Sequence, residues 1–253
     1  MARYQIILAY DGTGFLGSQR QASSRTVQSE LEKALRKLAW HGQTVYLAGR
    51  TDTGTHASGQ VAAFDLDWTH DLQKLQDALN ACLPRDMAVR EVKAAVDNFH
   101  PRFDASSRCY RYRLFCAGVR DPLRERYAWR VWPSVTDLAA LANIWPGRHD
   151  FTAFGTPPRS GGSTVRTVMS AGWQQHGDEW IFEIRADAFL YRMVRRLVYA
   201  QVAVGQARLS AKTLLQALDD TSEVGRTTRS QIPASLAPAS GLTLVEVCYD
   251  NLD

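Results

Sequence analysis

VYLAGRTDTGTHASGQVAAFDLD, Val45 to Asp67, is the stretch on which the reading of the fold turns. Two runs, Val45 to Gly49 and Gln60 to Asp67, have the composition of strands, and they bracket a loop of glycine, threonine and serine. Gly49, Gly54 and Gly59 let the backbone turn sharply and approach a bound group closely, which a strand or helix interior would not need. Inside the loop one carboxylate, Asp52, stands two residues after Arg50. A lone aspartate among small hydroxylated residues beside an arginine looks like a chemical site, so Asp52 is the leading catalytic candidate.

Outward from this pair of strands the elements take a legible order. Arg3 to Tyr10 reads as a strand ending at the Asp11-Gly12 turn. Thr26 to Trp40 reads as a helix, with Thr26 as N-cap and Val27, Leu31, Leu35 and Leu38 on one face. A helix over Asp71 to Leu83 and a strand over Ala88 to Val96 follow, so residues 1–105 read β-α-β-β-α-β. Residues 106–253 repeat the order more loosely: a strand over Arg108 to Ala117, a helix near Val135 to Trp145, and strands near Thr164 to Trp173 and Glu179 to Ala186. A helix over Phe189 to Gly205, a shorter one over Ser210 to Leu218 and a strand over Leu242 to Tyr249 complete it. The expected architecture is α+β: two ferredoxin-like (βαββαβ) lobes, 1–105 and 106–253, whose antiparallel sheets abut around a central basic cleft. Segments 118–134, 146–162 and 219–241 read as long connections, of a length that often carries function.

Composition narrows the class. With 253 residues and 45% hydrophobic content the chain can bury a full core. The apolar run Ile6 to Ala9 is too short for a signal peptide, and no stretch approaches the ~18 apolar residues of a membrane span, so the chain reads as cytoplasmic with no membrane partner. Four cysteines without CxxC spacing argue against a zinc ribbon or a secreted disulfide framework. The net charge of +4 resides in the second half, where Lys212 is the single lysine and every other cation is arginine. The planar guanidinium fork suits phosphate and stacks on bases, so the balance favours an anionic partner.

Three further features bear on chemistry. In RCYRYRLFC the period of two puts Tyr110, Tyr112 and Leu114 on one strand face. A tyrosine there either fills a sandwiched core or stacks on an unpaired base. In FLYRMVRRLVYAQVAVG an apolar stripe is matched by Arg192, Arg195, Arg196 and Tyr199 at i, i+3, i+4 and i+7. That basic face reads as solvated surface, as phosphate contact or as an active-site ion pair. His56 has no second metal ligand at suitable spacing, so it reads as a support of the loop, and no metal site is expected. P-loop, GxGxxG, zinc-deaminase and RRM signatures are all missing.

Seven motifs together carry a family resemblance: YDGTGFLGSQRQ, TVQSELEKAL, GRTDTGTHA, RCYRYRLF, HDFTAF, ADAFLYRMVRRLV and PASGLTLVEVCY, in that order over nearly the whole chain. The chain resembles the tRNA pseudouridine synthase A family. The resemblance implies that Asp52 is the nucleophile, that Tyr110 stacks on the target base and that Arg195 pairs with the nucleophile. It also implies that Arg50 assists base flipping and that Leu242 packs near the uracil. It implies isomerisation of uridine to pseudouridine at tRNA positions 38, 39 and 40 of the anticodon arm, without cofactor or metal, by a homodimer. A uracil in a stem must be flipped out to react, and stacking with backbone contacts must offset that cost.

The chain departs from the family pattern at Ser18, which replaces an aromatic, at Thr53 and Thr55, and at Arg196 and Tyr199. None of these is the nucleophile or an implied partner, but they bear on docking and on which uridines are modified. The competing reading from another class is a non-catalytic RNA-binding protein of tandem ferredoxin-like lobes, in which Asp52 is a turn residue.

Overall fold

The structure is a computed structural model and describes residues 1–219 and 229–250. Residues 220–228, within the connection expected over 219–241, lie outside the described residues. The chain is mixed α+β and divides into two compact units, Met1–Arg108 with Thr243–Asp253, and Cys109–Leu242.

In the first unit the order is β1 (Ala2–Tyr10), α1 (Val27–Lys37), β2 (Tyr46–Leu47), β3 (His56–Leu66), α2 (Leu72–Cys82) and β4 (Met87–Ala94). β1 lies between β4 and β3, antiparallel to both, and β2 pairs antiparallel with β3. Alternation along β1 buries Tyr4, Ile6, Leu8 and Tyr10 on one face. Leu31 and Leu35 of α1, with Leu75 and Leu79 of α2, are fully buried, each such side chain contributing about 1.5–3 kcal/mol by leaving water.

α1 starts where the sequence says it should. The Thr26 side chain accepts from the Ser29 N–H at 3.2 Å and Ser29 Oγ returns to the Thr26 main chain, a capping box. It stops at Lys37, short of the expected Trp40, because Ala39 turns to φ +59°. The helix buries two polar residues that an apolar count overlooks. Gln28 donates to Glu32 and Thr44, and Glu32 accepts from the Val45 N–H at 3.2 Å and from Arg20 at 2.8 Å. These bonds tie α1 to the chain entering β2.

The second unit starts inside β5 (Ala105–Cys116) and continues through β6 (Trp129–Val131), α3 (Leu138–Ala142), β7 (Gly147–Asp150), β8 (Val165–His176), β9 (Glu179–Ala186), α4 (Met193–Gly205) and α5 (Ala211–Asp219). β8 is antiparallel to β7 and to β9, while β6 runs parallel to β5. The unit's strands lie in the order β5-β9-β8-β7. β6 and β7 fall in stretches expected to be connections, since strands of three or four residues show no period. α3 is shorter than expected, because Asp137 at φ +56° delays its start. α4 begins at Met193 and not Phe189: Tyr191 bridges to Thr156, and Arg192 enters the helix at φ +63°.

The last strand, β10 (Leu242–Tyr249), pairs parallel with β3 in the first unit, Thr243 opposite His56 and Leu244 opposite Ala57. A side chain at Gly59 would stand 2.1 Å from the Val245 carbonyl oxygen, so the glycine is required by close approach. Among the described residues no helix is long and apolar enough to cross a membrane.

Two bidentate ion pairs brace the first unit: Arg3 on Asp65, both bonds 2.8 Å, and Arg25 on Asp86 at 2.7 and 2.8 Å. Hydrogen bonds from the guanidinium hold each carboxyl below the ordinary carboxylate range. A carboxyl with a lowered folded value stabilises the fold above the unfolded value of about 3.9 and loses that contribution as pH falls through the folded one. Urea midpoints are therefore expected to fall between about pH 5 and pH 2, and Asp86→Asn should flatten that fall while lowering the midpoint near neutrality. Both pairs are partly exposed, so added salt should shrink the difference.

Candidate active site

The Asp52 loop is a turn held from several sides. The Thr55 N–H donates to the Asp52 carbonyl at 3.0 Å, and Gly54 has φ +78°, a left-handed value that glycine takes without strain. The strand that follows begins at His56, four residues before the sequence places it.

Before the turn, Thr51 is gripped three times. Its N–H donates to Ser18 Oγ at 2.8 Å, its carbonyl accepts from the Ser18 N–H at 3.1 Å, and its hydroxyl bonds the Tyr10 hydroxyl at 2.8 Å. Burial pushes the Tyr10 hydroxyl up to about 12, so it keeps its proton at neutral pH. Gln60 on β3 clasps Gly49 at both ends, accepting from its N–H at 3.1 Å and donating to its carbonyl at 2.8 Å. His56 Nδ1 accepts from the Gly12 N–H at 3.0 Å, which makes the histidine a support of the loop. Among the described residues no cluster of three or more His, Cys, Asp or Glu could hold a metal ion.

Ser18 is fully buried, and its own segment hangs on the start of α1, where the Gln28 N–H donates to the Ser18 carbonyl at 2.9 Å. Ser18 thus clips the turn to the helix. Ser18→Ala would leave the buried Thr51 N–H without its acceptor, a loss of about 1–3 kcal/mol. A lower urea midpoint at unchanged slope is the expected reading.

Of the residues singled out in sequence, Asp52 and Arg50 lie in the first unit, and Tyr110, Arg195 and Leu242 in the second. Asp52 is half-buried, whereas Arg50 is exposed and lines a cavity that Asp52 does not line.

Tyr110, on β5, is buried edge-on against Phe189, ring centroids 5.0 Å apart at 86°. Tyr112, two residues on, is fully buried and donates to the Pro238 carbonyl at 2.8 Å. Burial pushes the Tyr112 hydroxyl well up, against the opposing charge of Arg195. Arg195 Nε donates to the Ala237 carbonyl at 2.7 Å, and the Ala237 N–H returns to the Arg195 carbonyl at 3.2 Å. At Gly241 a side chain would stand 2.6 Å from the Tyr112 ring. Tyr112 and Arg195 together therefore hold the segment that delivers Leu242, itself buried, to the start of β10.

Tyr10, Gln60 and Tyr112 are supports that the sequence reading did not single out for the site. A glutamine inside the apolar run of β3 was the one visible signal, because a buried amide needs partners.

Comparison with known proteins places these residues in a wider set. A family model described as tRNA pseudouridine synthase matches residues 6–104 and 141–250. A tRNA pseudouridine synthase A of Chloroflexus aurantiacus is 40% identical over 98% of this chain and 89% of its own length. Its counterpart in Limosilactobacillus fermentum is 37% identical over 99% and 97%. That of a Geobacter species is 34% identical over 98% and 99%.

Proposed function

Because this chain belongs to the tRNA pseudouridine synthase family, we infer that it isomerises uridine to pseudouridine in tRNA with Asp52 as nucleophile. The reaction breaks the N1–C1′ bond of a uridine, forms a C5–C1′ bond, and exchanges the proton lost from C5 for one gained at N1. Nothing is oxidised or reduced and no atom is added, so side chains suffice and the reading needs no cofactor.

The observation that carries the reading is the bracing of the Asp52 turn by Ser18, Tyr10 and Gln60. A turn that serves only to reverse the chain does not need buried polar groups converging on it, whereas a nucleophile must be held in line within a fraction of an ångström. In this reading Asp52 attacks the flipped nucleotide, Tyr110 stacks on its base, and Arg195 holds the carboxylate. Arg50 aids flipping, and Leu242 packs against the uracil. Arg195 keeps its Nε on the Ala237 carbonyl while it does so.

The finer reading is of two ferredoxin-like lobes, one carrying the Asp52 loop and the other the arginine-rich helix α4. It takes the targets to be positions 38, 39 and 40 of the anticodon arm, and the enzyme to be a cytoplasmic homodimer. Incubating the purified protein with unmodified tRNA and mapping pseudouridine by position tests reaction and target together. Pseudouridine at 38–40 is the expected result; pseudouridine elsewhere would overturn the target, and none at all the function. Light scattering checks the dimer.

A further inference from the structure

The first unit carries a cavity of about 210 Å³ whose lining includes Tyr46, Arg50, His100, Arg102 and Phe103. Its aromatic rings form a ladder: the centroids of Tyr46 and His100 are 5.0 Å apart, and those of His100 and Phe103 are 4.3 Å apart at 33°. The outer rings face solvent, Phe103 being 74% exposed and Tyr46 40%.

This exposure is built in. The His100 N–H donates to Asp104 Oδ2 at 2.7 Å, the Phe103 and Asp104 N–H groups return to the His100 carbonyl at 3.2 and 3.1 Å, and the His100 ring accepts from the Arg102 N–H at 3.2 Å. A loop so bonded holds the phenyl ring out of the core and forgoes about 1.5–3 kcal/mol that its burial would contribute. Beside it the Arg102 guanidinium lies 5.8 Å from the ring centroid. Among the described residues neither Arg50 nor Arg102 forms an ion pair with a carboxylate.

Exposed π-faces stacked beside two unneutralised guanidiniums are the two halves of a single-strand nucleotide site: rings for a base, forks for a phosphate. At about 210 Å³ the cavity is smaller than the ~300 Å³ of pockets that bury a whole small ligand, so it has room for part of one nucleotide and for no more. We propose that this cavity receives one unpaired nucleotide of the RNA substrate other than the reacting uridine, its base on Tyr46, His100 and Phe103 and its phosphate on Arg50 and Arg102. The proposal rests on the tRNA reading above and extends it to a neighbour of the target, because Asp52 does not line the cavity.

The test is fluorescence anisotropy with a labelled anticodon stem-loop RNA across a salt series, alongside pseudouridine yield on the same RNA. Phe103→Ala should raise Kd about tenfold, as the loss of one stacked base does, with the effect on KM larger than that on kcat. Phe103→Trp should restore binding, since it returns a π-face. Arg102→Ala should lower the slope of log Kd against log salt by about one. The exposure of Phe103 makes these variants safe for folding, and circular dichroism would verify it. An active wild type with Phe103→Ala binding equally well would overturn the cavity and leave the tRNA reading standing. A wild type that makes no pseudouridine would overturn both.

Discussion

Asp52→Asn stops pseudouridine formation, by about 10³-fold or more, and leaves RNA binding within about threefold of wild type. Asparagine has the shape of aspartate and leaves untouched the main-chain bond from Thr55 to the residue 52 carbonyl, so the turn should survive. What it removes is the anion, and an amide oxygen does not form the covalent link a nucleophile must. The same variant separates an enzyme from an RNA-binding protein in which Asp52 only turns the chain. Position-resolved mapping on unmodified tRNA, paired with anisotropy on the same RNA, reads both quantities. Undiminished yield would return Asp52 to the status of a turn residue.

The second large effect is expected at Gly12, where the chemistry is steric. A Cβ there would stand 2.0 Å from the Thr55 carbonyl oxygen and 2.4 Å from its carbon. Both groups are buried main chain, so no side chain can swing aside. Gly12→Ala must push the turn that carries Asp52 away from the end of β1, and it strains the bond from the Gly12 N–H to His56. Overpacking of this kind costs about 1–3 kcal/mol, which lowers Tm by about 2–4 °C for each kcal/mol in a chain of this size. Activity should fall further than stability, since a displacement of about 1 Å at a reacting group costs about a hundredfold. Gly172→Ala is the control: nothing lies within 4 Å of its Cβ position, so it should leave Tm and yield unchanged. Equal behaviour of the two variants would show that close approach at Gly12 is not what positions the turn.

The two variants fail for reasons of different visibility. Asp52 could be read as a candidate from the chain alone, because a single carboxylate in a glycine-flanked, hydroxyl-rich loop has few structural uses. The need for glycine at position 12 could not, since nothing in YDGTG says that the Thr55 carbonyl, more than forty residues on, comes to rest against it. Ser18 shows the same divide. As a letter it is a departure from an aromatic; in the fold it is the acceptor that holds Thr51.

Elements divide along the same line. α1 and α2 were legible because caps and a 3.6-residue apolar period are local signals: α1 begins after its expected cap, Thr26, and α2 begins one residue after the expected start at Asp71, which serves as its cap. β6 and β7 were not, because three or four residues hold no period and their pairing partners lie elsewhere in the chain. The start of α4 moved for a comparable reason, when the Tyr191–Thr156 bridge claimed residues that a helical pattern alone would have kept.

By itself, then, the amino-acid order determined the α+β class, the principal helices and strands, the arginine bias of the second half and the candidacy of Asp52. Each of these is written in composition or in short-range periodicity, where neighbours along the chain are neighbours in space. Only the tertiary structure decided that β10 returns to pair with β3, that Tyr10, Ser18 and Gln60 converge on the Asp52 turn, and that Arg195 and Tyr112 hold the segment ahead of Leu242. Those are contacts between residues far apart in sequence, and which donor meets which acceptor is settled only when folding brings the two within about 3 Å of one another.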